Sequence, residues 1–118
     1  LILNIALSYG ARLEITKTCK KLVEQVVSGS LSVDDISEEV FAKNLCTATL
    51  GDPDLLIRTS GEKRISNFLL WESAYTEFYF LDIFWPEFNK DLLLDAVACY
   101  QNRTRRYGRI EKDHYKGV

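Results

Sequence analysis

The sequence predicts an α/β fold built on a mainly parallel sheet with flanking helices. Three observations point there. Leu1 to Tyr9 is an apolar run ending at Gly10, which suits a strand buried on both faces, as parallel strands are. From Ala11 the apolar period lengthens to three or four residues, the mark of an amphipathic helix. Two short runs, Leu55-Leu56-Ile57 and Thr76 to Phe80, then read as strands separated by helical patterns.

In chain order, Leu1 to Tyr9 is the first expected strand. Ile15, Cys19, Leu22 and Val26 mark the apolar stripe of the first helix, which Ser28-Gly29 should stop. Ser32 with Asp35 offers one capping signal and Ser37 another, the latter before Val40, Phe41 and Leu45. The sequence does not choose between these starts. Gly51-Asp52-Pro53 is a turn, and Leu55-Leu56-Ile57 the second strand. Phe68 to Ala74 reads as a short helix. In Thr76 to Phe80 alternation puts Glu77 and Tyr79 on one face, Phe78 and Phe80 on the other. Trp85-Pro86 ends that run. Asn89 is placed to cap a last helix through Ala96, Tyr100 and Arg103, closed at Gly108. Three strands are few for a parallel sheet.

Composition narrows the function. With 118 residues there is room for one core. A net charge of -2 argues against a general nucleic-acid binder, so any anion site must be local. Cys19, Cys46 and Cys99 are far apart and odd in number, which reads as three reduced, mostly buried thiols in a cytosolic protein. His114 stands alone, so a structural zinc site is not expected. The chain has no methionine and opens on an apolar run too short to span a membrane and without a basic flank. The expectation is the ordered part of something longer.

The chemistry concentrates in "DLLIRTSGEKRISNFLLWE", residues 54–72. In an open α/β sheet, ligands bind beyond the carboxyl ends of strands. Arg58 falls at such an end and is followed by Thr59, Ser60, Gly61, Arg64 and Ser66. Arginine presents a planar fork of donors that matches phosphate oxygens. Serine hydroxyls, glycine-exposed amides and a helix start at Ser66 would add neutral donors. A phosphate or diphosphate held by two arginines and a hydroxyl fits this pattern. Neither G-x-x-x-x-G-K-[ST] nor G-x-G-x-x-G occurs, Asp34-Asp35 is not part of an aspartate-rich metal motif, and Ser60 lacks both a G-x-S-x-G context and a histidine nearby. Glu62 and Glu77 are the notable acids, because a carboxylate beside a diphosphate is repulsive unless a divalent cation joins them. Glu77 lies among aromatic residues, where an ionised group needs a partner. A metal and an arginine are both open to it.

The stretch "DLLIRTSGEKRISNFLLWESAYTEFYF", with "WPEF" after it, resembles the C-terminal signature of the cis-prenyltransferases, the family of undecaprenyl diphosphate synthase and dehydrodolichyl diphosphate synthase. "YGARLEI" resembles the family's N-Y-G-G-R segment, and "RTRRYG" its closing R-x-G. The resemblance covers nearly all of the chain to Gly108. It implies that residues 1–118 are the C-terminal portion of one cis-prenyltransferase domain of undecaprenyl diphosphate synthase-like fold. It implies a cytoplasmic homodimer that adds isopentenyl diphosphate units, in cis geometry, to an allylic diphosphate such as farnesyl diphosphate. The product would be a polyprenyl diphosphate, a carrier-lipid precursor that brings peripheral membrane contact. Nucleic acid is no partner in this reading.

The resemblance also implies roles for single residues. Arg58, Arg64 and Ser66 hold the diphosphate of isopentenyl diphosphate and serve catalysis, with Ile65 in the same binding segment. Glu77 helps hold Mg²⁺, and Arg106 and Gly108 reach the neighbouring subunit's site. Lys63 stands where bacterial members often carry histidine, and Ser8 where the family often has asparagine. The family's D-G-N-G-R-W segment, with its metal-binding aspartate and allylic site, does not occur in the 118 residues, so this chain alone is expected to be inactive. Two other readings compete. A non-catalytic partner subunit of a heterodimeric prenyltransferase would lose the R-T-S-G-E-x-R-x-S-N stretch that this chain keeps. An unrelated phosphate-ester binding module would need no second substrate.

Overall fold

The structure, a computed structural model, describes residues 1–103. The expected helix closure at Gly108, and with it Arg106 and His114, lie outside the described residues. The chain folds into two units. One comprises Leu1–Asp54 with Lys63–Thr76, the other Leu55–Glu62 with residues 77–103.

In the first unit, α1 (Ala11–Val27) opens at Gly10, which has no side chain to cap it. Asn67 supplies the cap from a distant part of the sequence. Its carbonyl accepts from the Ala11 N–H at 2.9 Å and its Oδ1 from the Arg12 N–H at 2.8 Å. Two of the four orphan donors at the helix start are thus satisfied. A Cβ on Gly10 would lie 3.0 Å from Asn67 Nδ2, so this approach favours glycine. α1 ends where the sequence predicts. Ser28 and Gly29 donate back to Glu24 and Val26, and Gly29 takes φ 74°. Ser32 and Ser37 both act as caps. Ser32 opens a 3₁₀ turn, Val33–Asp35, and Ser37 opens α2 (Glu38–Lys43).

The buried face of α1 differs from the expected stripe. Ala11, Thr18 and Leu22 are buried, whereas Cys19 is exposed. The face turns toward polar residues that find partners: Gln25 donates to Asn44 Oδ1 at 3.2 Å, and Asn44 in turn donates to the Val40 carbonyl. Hydrogen-bonded polar groups can be buried where an apolar pattern would not place them. Cys46 is exposed as well, so the expectation of mostly buried thiols does not hold.

Phe68 to Ala74 forms a series of turns, not a helix. Ser66, Asn67 and Leu69 all have positive φ, of 48°, 64° and 47°. Left-handed residues cannot sustain the i to i−4 ladder of a right-handed helix. Turn bonds such as Phe68 N–H to the Ile65 carbonyl and Ser73 N–H to the Leu69 carbonyl hold the segment, together with ring contacts. Phe68 meets Tyr9 edge-on at 5.5 Å, and Trp71 packs on Phe41 at 4.3 Å.

Leu1 to Tyr9 forms no strand among the described residues. Leu1, Ile2, Leu3, Ile5 and Leu7 are all largely exposed. Apolarity favours burial, but a strand exists only with a hydrogen-bonded neighbour. The described sheet has two strands, neither of them here.

The second unit holds that sheet. β1 (Leu55–Arg58) and β2 (Glu77–Phe80) run parallel, with Leu55 opposite Glu77 and Arg58 opposite Phe80. Phe78 and Phe80 stack on one face at 5.9 Å, as strand alternation requires. Trp85–Glu87 is a 3₁₀ turn in which Glu87 Oε2 accepts from the Phe84 N–H at 2.7 Å. α3 (Lys90–Gln101) packs against β1 and buries Ala96. Asn89 Oδ1 accepts from the Asp91 and Leu92 N–H groups at 3.0 and 3.1 Å. No described helix is long and apolar enough to cross a membrane.

The Asn89 cap gives a measurable expectation. Asn89→Ala strands both amides and should lower stability by about 1 kcal/mol in urea unfolding, while Asn89→Asp should retain most of it.

Candidate functional site

Arg58 is the last residue of β1 and is half-buried. It stands at the carboxyl end of a parallel strand, where the sequence places it. Pairing continues past the strand: the Leu81 N–H donates to the Arg58 carbonyl at 2.8 Å, Gly61 to the Leu81 carbonyl at 2.9 Å and Ser60 to the Ile83 carbonyl at 2.6 Å. The amides of Ser60 and Gly61 are therefore spent on the fold. This corrects the expectation that glycine-exposed amides serve an anion. Gly61 has a different use. Its φ is 66°, and a Cβ there would sit 2.8 Å from Asp82 Oδ1. Only glycine takes this position without strain.

Arg64, Ile65 and Ser66 belong to the first unit. Arg64 and Ser66 are exposed and Ile65 is half-buried. Ser66 does not start a helix, since its φ is 48° and turns follow it. The nearby helix N-terminus is that of α1, and Asn67 already occupies its first two amides. With the Ser60 and Gly61 amides used by the fold, the side chains of this stretch, its guanidinium groups, the Ser66 hydroxyl and the neighbouring exposed Lys63, are the groups that could meet an anion.

Glu77 opens β2, and its Oε2 accepts from Arg103 Nη1 at 2.6 Å. The two side chains are 27% and 34% exposed, so the pair is half-buried. The hydrogen bond it donates to this carboxylate raises the Arg103 guanidinium above its ordinary pKa. Of the two partners left open by the sequence, the arginine is the one seen. A carboxylate is also the hard oxygen donor that Mg²⁺ takes, and Mg²⁺ commonly uses one or two carboxylates, several waters and substrate phosphates. Glu77 fits as one such ligand. Among the described residues no group of three His, Cys, Asp or Glu makes a self-sufficient metal cage.

The sequence reading missed a polar cluster in the first unit. The Tyr9 hydroxyl donates to Glu14 Oε2, and Glu14 Oε1 accepts from the Cys46 N–H at 2.8 Å. Thr47 Oγ1 donates to Glu72 Oε1, and Glu72, only 4% exposed, leaves Oε2 without a hydrogen-bond partner among the described residues. A cavity of about 1000 Å³ lies beside this cluster, lined by Ile5, Leu7, Tyr9, Glu14, Cys46 and Glu72 among others. Burial works against the charged form of Glu14, but hydrogen bonds from Cys46 and Tyr9 outweigh it, so its pKa is lowered. Burial, then the bond to Glu14, pushes the Tyr9 phenol above its usual range. The Cys46 thiol is pushed up to about 11, first by its hydrogen bond to Glu14 and then by burial. A lone acid in an apolar run, as in "FLLWESA", was the available signal for Glu72.

Comparison with known proteins adds to this geometry. A family model described as "Putative undecaprenyl diphosphate synthase" matches residues 1–108. The chain belongs to the undecaprenyl diphosphate synthase family. Members similar to it include an isoprenyl transferase of Halalkalibacterium halodurans, 54% identical over 93% of this chain and 43% of the relative. Another is the tritrans,polycis-undecaprenyl-diphosphate synthase (geranylgeranyl-diphosphate specific) of Picrophilus torridus, 53% identical over 89% of this chain and 41% of the relative. Among solved structures, lavandulyl diphosphate synthase from Lavandula x intermedia, in complex with dimethylallyl diphosphate, superposes with a TM-score of 0.84. It is 43% identical, over 88% of this chain and 45% of the other. A probable undecaprenyl diphosphate synthase from Campylobacter jejuni gives a TM-score of 0.74 at 36% identity, over 90% of this chain and 47% of the other. The fold is thus the parallel-sheet α/β fold of the undecaprenyl diphosphate synthase family. The chain spans less than half the length of these relatives.

Cys46 provides a test of the polar cluster. A thiol titrating near 11, against an ordinary 9.0, holds roughly a hundredfold less thiolate at neutral to mildly basic pH. Cys46 should therefore alkylate far more slowly with iodoacetamide than its exposure suggests, and Glu14→Gln should speed it. The sign for stability is also fixed. The raised thiol contributes fully below pH 9.0, and its contribution is lost as pH rises toward about 11.

Proposed function

We propose that the whole protein is a cis-prenyltransferase, of which these 118 residues form the C-terminal portion of a single catalytic domain. It adds isopentenyl diphosphate in cis geometry to an allylic diphosphate such as farnesyl diphosphate, giving a polyprenyl diphosphate precursor of a carrier lipid. The retained stretch from Arg58 to Ser66, in a chain matched to the family over residues 1–108, carries this reading. The relatives' names, isoprenyl transferase and undecaprenyl-diphosphate synthase, support the same kind of reaction. A homodimer in the cytoplasm, touching the membrane only through its product, completes the proposal. Arg106 and Gly108 act at the partner subunit's site.

In the proposed mechanism Arg58, Arg64 and Ser66, with Ile65 in the same segment, hold the diphosphate of isopentenyl diphosphate. Its double bond then faces the allylic carbon. The allylic carbon–oxygen bond breaks, diphosphate leaves, the new carbon–carbon bond forms and a proton is lost. Alignment of the reacting atoms can contribute roughly 7–11 kcal/mol to lowering the barrier. When bound, Mg²⁺ neutralises charge on the leaving diphosphate, and Glu77 is the residue of this chain that would hold it. A cationic end to a half-buried strand suits this work because guanidinium groups bind diphosphate without needing a deprotonation step.

Two measurements test the reading. Arg58→Ala and Arg64→Ala in the whole protein should each cost roughly 1.5–3 kcal/mol of transition-state binding. That appears as a loss of about one to two decades in kcat/KM for isopentenyl diphosphate. Near-parental kinetics in both would remove the cradle. The 118-residue chain by itself, given farnesyl diphosphate, labelled isopentenyl diphosphate and Mg²⁺, should yield no labelled long-chain lipid. A sizeable product would mean that it needs no further segment.

A further inference from the structure

The Glu77–Arg103 pair joins two points of the second unit with different constraints. Glu77 is fixed by the sheet, opposite Leu55 at the start of β2. Arg103 lies just beyond the last turn of α3, past the C-cap Asn102, and its N–H donates to the Tyr100 carbonyl at 3.1 Å. Its guanidinium spans both neighbours: Nη1 lies 2.6 Å from Glu77 Oε2 and Nη2 lies 3.8 Å from Cys99 Sγ. The guanidinium therefore sits on the one carboxylate that the functional reading gives to Mg²⁺.

Two cations brought to one carboxylate repel each other. Mg²⁺ binds carboxylate oxygen at about 2.0–2.1 Å and demands near-octahedral geometry. A guanidinium already at 2.6 Å fills the approach to Oε2 and adds like charge beside the incoming ion. The half-burial of both side chains weakens the screening that would otherwise let them coexist. We propose that Arg103 is the resident counter-ion of Glu77 in the metal-free protein, and that Mg²⁺ binding displaces it. Arg103 is then a positioning residue that sets how much Mg²⁺ the protein needs. The proposal rests on the reading of Glu77 as a metal ligand.

By linkage, whatever stabilises the metal-free state through Glu77 weakens metal binding by the same factor. Removing Arg103 should tighten Mg²⁺, and a purely structural ion pair would not. The test uses the whole protein, stripped with chelator, as the parent and as Arg103→Gln, Arg103→Lys and Glu77→Gln. Mg²⁺ is titrated alone and followed by the shift in melting temperature. Arg103→Gln should lower the Mg²⁺ midpoint by roughly three- to tenfold, with Arg103→Lys between it and the parent. Arg103→Gln should also melt lower than the parent in chelator, and that gap should close at saturating Mg²⁺, where the parent has lost the pair too. Arg103→Lys keeps the question answerable if Arg103→Gln does not fold. An unchanged or raised midpoint in the arginine variants, or a gap that Mg²⁺ does not narrow, overturns the displacement while Glu77→Gln still weakens Mg²⁺. If Glu77→Gln leaves the Mg²⁺ midpoint where it was, the metal reading of Glu77 fails, and the displacement falls with it.

Discussion

Parallel pairing of β1 with β2 is the constraint on which the rest of this chain depends. Two parallel strands cannot be joined by a tight turn; the chain must return to the starting end of the sheet before pairing again. Residues 59–76 make that return, and they carry nearly all of the distinctive chemistry. The path is set by backbone bonds at its start, where Ser60 and Gly61 donate to carbonyls beyond β2. Those two main-chain donors are used in holding the loop's shape.

A second dependence runs through Asn67. It caps α1 from outside that helix, using its carbonyl and its side-chain oxygen. The cap asks for a left-handed residue at position 67, which asparagine tolerates better than most, and a bare Cα at Gly10. The "YGA" and "SNF" segments are thus two halves of one contact. This contact fixes the residues next to Arg64 and Ser66 to the start of the longest helix in the first unit. A capping role and the proposed binding role can share one stretch of sequence without sharing atoms.

Elements with a local physical cause were legible in the sequence. α1 ends at Ser28-Gly29 and α3 starts after Asn89, because caps and left-handed glycine act within a few residues. Arg58 at a strand's carboxyl end was legible for the same reason, as was the stacking of Phe78 on Phe80. What failed depended on partners elsewhere in the chain. Leu1 to Tyr9 has the composition of a strand and no ladder among the described residues. Ser66 to Leu69 was read as helical from its side chains, but the cap on α1 and three positive φ angles decided otherwise. The glycine-exposed amides were assigned to a ligand because the acceptor of the Gly61 N–H, the Leu81 carbonyl, lies about twenty residues away in sequence. Glu14 and Glu72 went unnoticed because each looks like an ordinary helix residue until Cys46 or Thr47 is beside it. Glu77 was read as a group that needs a cationic partner, with a metal and an arginine both open, and the structure shows Arg103 there.

The exposed segment at the start of the chain has a practical side. "LILNIAL" combines β-branched and other apolar residues, no charge and no proline, with its side chains open to solvent. Segments of that character recruit one another edge to edge into cross-β stacks. Any preparation of these 118 residues by themselves therefore carries a built-in tendency to associate that has nothing to do with substrate. Light scattering and dye-binding signals from such a sample would report this adhesive edge before they reported the arginine loop. A charge placed at Leu3 or Ile5, both well exposed, would separate the two.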